Sequence, residues 1–329
     1  MRFLQIHLSM HRGGAHSSVQ NIKRGLESIG HQCDISAERP DRLTSLDYDL
    51  ILFHSFSPDN ENVYLRFLEF CREKDLPRTF VMHDYWPMCH QTNMVMIGRG
   101  MERCDLHCDV KKCGWTGRKQ PHIKDLENEH VVCFTERSAE IFFDHGFSKV
   151  HIIPHGIDMK MFHPMNHLRS SFSVLFTNAW GRKEIKGYRH WDWIRKNSSK
   201  EIVCREIVGQ SRMDDMPGIY SSSDATLFLS LWDETFGLTV IESLACGTPV
   251  ISYPVGISPS VIEDGVNGFI APDSNPKTAL SMIDDIHNMS EQEMLRMRNN
   301  CRKSVEDRFS LQRNAIEYEN LARIIGDSR

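Results

Sequence analysis

The chain is 329 residues long, 40% hydrophobic and 25% charged, with a formal net charge of −5. That length predicts two domains of roughly 150 residues each, and the composition is that of a globular protein without a disorder-biased tract. The acidic balance excludes a general nucleic-acid binder, whose phosphate contacts need a clear excess of Lys and Arg.

Apolar strands alternate with amphipathic helices along the first half: FLQIHL, a helix near residues 17–28, QCDISA, LILFHS, a helix near 60–74, and TFVMHD. After an irregular stretch from Tyr85 to about Gln120 come VVCF, a helix over 138–145, and VHIIPHGID. Such alternation predicts a parallel sheet wrapped by helices. A boundary is expected near 164–171, where the pattern restarts with SVLFTNAW, a helix over 188–196, REIVG and DATLFLSL. Helices over 277–287, 291–308 and 310–325 close the chain, and no period of 20 to 50 residues suggests a solenoid.

The stretch DETFGLTVIESLACGTPV holds the strongest chemical signal. DATLFLSL reads as a buried strand, 234–237 as a turn, and 238–246 as a helix stopped by Gly247. A phosphate at that helix start would meet backbone N–H groups near Gly237, Leu238 and Thr239 and the positive end of the helix dipole. Glu242, about one turn further in, is placed to accept hydrogen bonds from ribose hydroxyls, and Glu234, on the loop with Thr235 and Phe236, to reach a sugar.

This pattern resembles the retaining glycosyltransferases of the fourth sequence family (glycosyl transferases group 1): Glu234, seven residues, Glu242, then a small-residue helix and Gly247-x-Pro249-Val250. Glu263, Asp264, Gly265, Gly268 and Pro272 match the end of the same domain, although the usual glycine pair after the strand is here Val255-Gly256. The resemblance implies the GT-B fold: two Rossmann-like α/β domains facing across a cleft. It assigns residues 1–165 with the helix 310–329 to the acceptor side and 166–309 to nucleotide-sugar binding. It also implies that Glu234 contacts the donor sugar and Glu242 the ribose.

Breaking the bond between an anomeric carbon and a nucleoside diphosphate leaves charge on the departing phosphate, which cations can stabilise. Arg182 and Lys186, between Gly181 and Gly187, are the candidates, with Lys183 as competitor. With two cations there, no metal and no cofactor are expected. The one Asp-x-Asp string, 47–49, precedes a strand, whereas ligands of open α/β sheets gather at carboxyl ends.

Gly13 and Gly14 open the first helix and match the position of the family's glycine-rich first loop; His11 and His16 flank them. They do not form the Gly-x-Gly-x-x-Gly fingerprint of a dinucleotide fold. His83 follows TFVM at a strand end where the family has a cleft-lining His, in a role that positions the acceptor. Gln210 and the loop 213–220 are the implied surroundings of the base. Cys89, Cys104, Cys108 and Cys113, with His90 and His107, crowd one segment without the paired spacing of a zinc knuckle, leaving metal binding open and a thiol-bearing loop the plainer reading. The single cysteines at 33, 71, 133, 204, 246 and 301 read as packing.

The expectation is a metal-independent, retaining hexosyltransferase. Its expected partners are a nucleoside-diphosphate sugar and a saccharide or lipid-linked saccharide acceptor, in bacterial surface polysaccharide biosynthesis such as lipopolysaccharide or capsule, with no nucleic acid. The rivals are a retaining glycoside hydrolase, whose carboxyls would stand only ~5 Å apart, and a non-catalytic nucleotide-sugar-binding protein. No apolar run nears the ~20 residues that cross a bilayer, and the opening turns polar too soon for a secretory signal. A cytoplasmic location follows, with peripheral contact at the inner membrane face left open because Lys23 and Arg24 are too little charge to argue for lipid binding.

Overall fold

The computed structural model describes residues 1–8, 13–37, 47–54, 61–89, 92–96, 102–103, 126–166, 171–178, 183–208 and 212–328. Two compact units emerge: Met1–Met94 with Asp105–Gly156 and Leu311–Arg329, and Ile157–Ser310 with Val95–Cys104. Unit 2 thus begins at Ile157, ahead of the 164–171 stretch where the sequence pattern restarts.

Unit 1 is built on β1 (Arg2–His7), β2 (Gln32–Ser36), β3 (Leu50–His54) and β4 (Arg78–Val81). A two-stranded antiparallel ribbon, β5 (Val95–Met96) with β6 (Glu102–Arg103), interrupts the chain before β7 (His130–Cys133) and β8 (Lys149–Ile152). The parallel sheet runs β2-β1-β3-β4-β7-β8. β3 is buried at every position, as a strand covered on both faces must be. Helices Gly14–Ser28, Glu61–Glu73 and Glu136–Asp144 follow the strands, the last started by a capping box between Thr135 and Ser138. Leu311–Asp327 packs on Gly14–Ser28, and Asn314 donates to the Pro154 carbonyl at 2.6 Å.

Unit 2 repeats the design with β9 (Ser173–Asn178), β10 (Val203–Val208), β11 (Ala225–Phe228), β12 (Val250–Ser252) and β13 (Gly268–Ile270), all parallel, in the order β10-β9-β11-β12-β13. Its core includes Trp191 stacked on Phe176 at 5.3 Å, with Val174, Leu227, Ile251 and Ile283 around them; each such apolar side chain contributes about 1.5–3 kcal/mol on burial. Helices Pro276–His287 and Glu291–Val305 are capped by Asn275 and by a Ser290/Glu293 box. Residues 213–220, expected as a loop, are instead a 3-10 turn Met213–Asp215 and a helix Met216–Ser221 with Pro217 in its first turn, where a proline's missing N–H is no loss.

Both sheets reverse direction between their first and third strands. In such open sheets that reversal leaves a crevice at the carboxyl ends, so β1/β3 in unit 1 and β9/β11 in unit 2 are where ligand chemistry is placed. Asp47 and Asp49 lie at the other end of β3, where Asp49 accepts from the Arg2 amide at 2.6 Å and Asp47 approaches the Arg2 guanidinium at 3.7 Å. Among the described residues no helix is long and apolar enough to cross a membrane.

Candidate functional site

The crevice of unit 2 is assembled by two loops leaving β9 and β11. The Leu231 amide donates to the Ile185 carbonyl at 2.8 Å, binding loop to loop. Gly187 makes this approach feasible: its backbone is left-handed, φ 81, and a Cβ there would lie 2.0 Å from the Leu229 carbonyl oxygen, so only glycine fits. The approach sets Lys186 beside Glu234, whose Oε1 takes the Lys186 ammonium and the Ser230 hydroxyl, the latter at 2.6 Å. Lys186 Nζ also lies 5.3 Å from the Trp232 ring centroid, a cation–π contact. Ser230 and Glu234 are buried while Lys186 keeps partial exposure. Lys183 is exposed and lies over the Tyr188 ring instead.

Gly237, φ 104, then turns the chain into helix Leu238–Ala245, whose N-terminus carries no side-chain cap. Its first amides remain available for an anion. Thr235 and Phe236 are buried, and Gly237, Leu238 and Thr239 are half-buried. Behind the turn sits Gly256: at φ 58 a Cβ would be 2.1 Å from the Phe236 carbonyl oxygen and 3.0 Å from Glu234 Cβ. One glycine is therefore what this contact needs, and Val255 before it is an ordinary buried residue.

Glu242 projects from the second turn of that helix and is buried. Its Oε2 accepts from the Tyr220 hydroxyl at 2.9 Å. Burial is the main cause that raises its pKa to about 7, with the Tyr220 bond pulling the other way. Tyr220 is itself fixed by its helix and by Thr248, whose hydroxyl donates to the Tyr220 carbonyl at 2.8 Å. Sequence reasoning assigned the segment around Tyr220 to a loop near the base; its contact is with Glu242.

In unit 1, Gly13 caps helix Gly14–Ser28 with extended backbone, φ −141, and a Cβ there would meet nothing within 4 Å. His83 sits just past β4, with Nε2 3.0 Å from His54 Nδ1 and its ring nearly parallel to His155 at 5.8 Å. Burial is the leading cause that pushes its pKa down to about 3, with His7 adding to it. His7, His54 and His155 were missed, although each shares with His83 the signal of a histidine at the carboxyl end of a strand. Arg182, Gln210, His11, His90 and the group Cys104, His107, Cys108 and Cys113 lie outside the described residues. Among those described, no group of three or more potential ligands could hold a metal ion. Cys33, Cys71, Cys133, Cys246 and Cys301 are buried free thiols, and Cys204 is half-buried.

Residues 204–304 match the family model described as glycosyl transferases group 1. Spore coat protein SA of Bacillus subtilis is 35% identical over 159 residues, 47% of this chain and 40% of that protein. A D-inositol 3-phosphate glycosyltransferase of Streptomyces bingchenggensis is 40% identical over 63 residues, 19% of this chain and 14% of its own length. The matches thus span less than half the length of these curated relatives. Among solved structures, sucrose-phosphate synthase from Thermosynechococcus elongatus aligns over 100% of both chains at TM-score 0.72 and 16% identity. Anabaena Alr3699/HepE in complex with UDP-glucose aligns over 99% of this chain and 100% of its own at TM-score 0.72 and 14% identity. These likenesses fix the fold as GT-B, and within it residues 204–304 are similar to the glycosyl transferases group 1.

Proposed function

We propose that the chain is a glycosyltransferase that moves a hexose, with retention, from a nucleoside-diphosphate sugar to a saccharide acceptor. The observation that carries this reading is the unit 2 switch point: Lys186 paired with Glu234, beside a helix N-terminus that no side chain caps. A lysine ammonium has three N–H donors, so Lys186 can keep Glu234 and still donate to phosphate oxygens. The amides of Leu238 and Thr239 add donors at the positive end of the helix dipole. Both favour the state in which charge has developed on the leaving diphosphate. Arg182 is the second cation on sequence grounds, and together they replace a divalent metal.

Glu234, steadied through Oε1, offers its other oxygen to sugar hydroxyls. Glu242 takes the ribose diol: an ionised carboxylate accepts from both hydroxyls, so donor binding draws its pKa below the value near 7 of the ligand-free protein. In a retaining transfer the acceptor hydroxyl adds to the anomeric carbon on the face the diphosphate leaves, and its proton passes to the departing phosphate oxygen; His83 orients the acceptor. The donor class is supported by fold relatives whose structures hold UDP-glucose, in HepE, and UDP with GlcNAc, in the pneumococcal O-GlcNAc transferase GtfA. The acceptor we favour is a lipid-linked precursor of a bacterial surface polysaccharide, met in the cytoplasm at the inner face of the membrane.

The test is incubation with a panel of UDP-, GDP- and ADP-hexoses in chelator, with and without saccharide acceptors. Acceptor-dependent release of nucleoside diphosphate, with a product linkage of unchanged anomeric configuration, supports the reading. Binding without turnover would mark a nucleotide-sugar-binding protein, and cleavage of a glycoside without any nucleotide would mark a hydrolase.

A further inference from the structure

The two carboxylates at the crevice of unit 2 are held differently. Glu234 is paired with a cation, whereas Glu242 has one hydrogen-bond partner among the described residues, the Tyr220 hydroxyl, which donates to Oε2 at 2.9 Å. Oε1 takes no such bond there, and the residue keeps 7% of its surface open. Side chains of a helix lean toward its N-terminus. The Glu242 carboxyl is therefore carried back toward Thr239 in the first turn, where no side chain caps the helix. The Thr239 side chain meets the same Tyr220 hydroxyl, in the sense of a donor.

Tyr220 is a firm support. It is buried, its ring centroid lies 6.5 Å from that of Phe162, and its carbonyl accepts from the Thr248 hydroxyl. Burial keeps its phenol protonated, so the hydroxyl proton is there to donate to Glu242. Such a bond is roughly twice as strong to an ionised carboxylate as to a neutral acid. It thus opposes the burial that drives Glu242 toward the acid form. The other titratable groups nearby are engaged elsewhere. The Cys246 thiol, one turn on, is pushed up to about 12 by burial. From helix Glu291–Val305, Arg298 donates to the Gly247 carbonyl and pairs with Asp224, and Arg302 donates to the Ala245 carbonyl and pairs with Glu306. If packing alone mattered, apolar groups of the same shape could replace the pair at little cost. A carboxylate held by one oxygen with the other left unbonded is suited to a ligand.

We propose that Tyr220 is a positioning residue for the donor: its hydroxyl holds Glu242 by Oε2, so that the helix presents Oε1 to the ribose. This rests on the reading of Glu242 as the ribose contact. Because the ribose hydroxyls call for an ionised Glu242, donor affinity rises with pH through about 7, and loss of the Tyr220 hydroxyl moves that rise upward.

Calorimetric titration of the full chain with UDP-, GDP- and ADP-hexoses from pH 6 to pH 9 is the test, because their diester pyrophosphates do not titrate in that range. With whichever binds best, Tyr220→Phe is expected to weaken binding about tenfold at pH 6 and less than threefold at pH 9, the result of a rise moved up by about one pH unit. Protein carrying 3-fluorotyrosine, whose phenol is a stronger donor, is expected to move the rise the other way. In Glu242→Gln the rise itself should vanish. A loss in Tyr220→Phe that is equal at both pH values would make Tyr220 a packing residue and overturn the inference. So would a rise that fluorotyrosine leaves in place, even if the phenylalanine variant does not fold. Failure of every hexose nucleotide to bind the unaltered protein would instead refute the donor-site reading.

Discussion

The two sheets wind alike and reverse between the same strands, yet their switch points carry opposite chemistry. Unit 2 places a cation, a carboxylate and a helix N-terminus that no side chain caps there, bound together by loops that only glycine allows to touch. Unit 1 places a row of imidazoles, three buried and His83 half-buried, each with its pKa lowered chiefly by desolvation. On the proposed reading one end meets charge and the other a polar but uncharged group. A glycosyl transfer needs both: a diphosphate that gathers charge, and a hydroxyl that must be oriented without being deprotonated early.

The largest break in this contrast comes from Lys186→Ala. Losing a donor aimed at developing charge should lower kcat about 10²–10³-fold, measured with a donor and acceptor found active. A fall of less than threefold would move the charge-bearing role elsewhere. Next, Gly256→Ala forces a Cβ onto the Phe236 carbonyl with strained backbone and should cost about 3 kcal/mol, read by denaturant unfolding. Gly13→Ala, at ordinary φ and in open space, should cost about 1 kcal/mol or less. Equal losses would mean that the close loop packing is not peculiar to unit 2.

Acidification should separate the units by sign. Glu242 is raised from 4.5 to about 7 in the folded protein, so the fold binds the extra proton, and stability present below 4.5 is lost as pH rises through 7. Lowering the pH from 7 to 5 therefore strengthens unit 2, by at most about 3 kcal/mol. The histidines of unit 1 are depressed from 6.5, so their contribution is present above 6.5 and lost as pH falls. Hydrogen exchange at the two pH values should show slower opening in unit 2 and faster in unit 1. Glu242→Gln should flatten the first trend alone. Parallel trends in both units would contradict the contrast. The smallest expected effect is on Ser230→Ala, which leaves Glu234 with Lys186 and, because Ser230 acts on the donor only through Glu234, should change donor KM by about threefold to tenfold, the worth of one ordinary hydrogen bond.

What could be read from the residues follows sequence distance. Glu234, Gly237 and Glu242 lie in one strand, turn and helix, so period and punctuation place them. Lys186 requires only the additional step that it follows the first strand of the same domain. The bond from Tyr220 to Glu242 was invisible because Pro217 and Gly218 look like loop residues while tertiary packing makes the segment helical. Ser230 was passed over as part of an apolar strand. His54 and His155 could be grouped with His83 only once the order β1-β3-β4-β7-β8 was known, since adjacency across a sheet is not written in local periodicity. His54 in particular stood inside LILFHS, where a buried strand residue is unremarkable.

The most direct test of the central claim is a hydrogen-exchange footprint of the bound nucleotide sugar on the full chain. The account predicts slowed exchange in peptides spanning 183–188 and 234–242, lost when Lys186 is replaced by Ala. Binding that leaves those segments unprotected, or protection that survives in the Lys186→Ala variant unchanged, would contradict it.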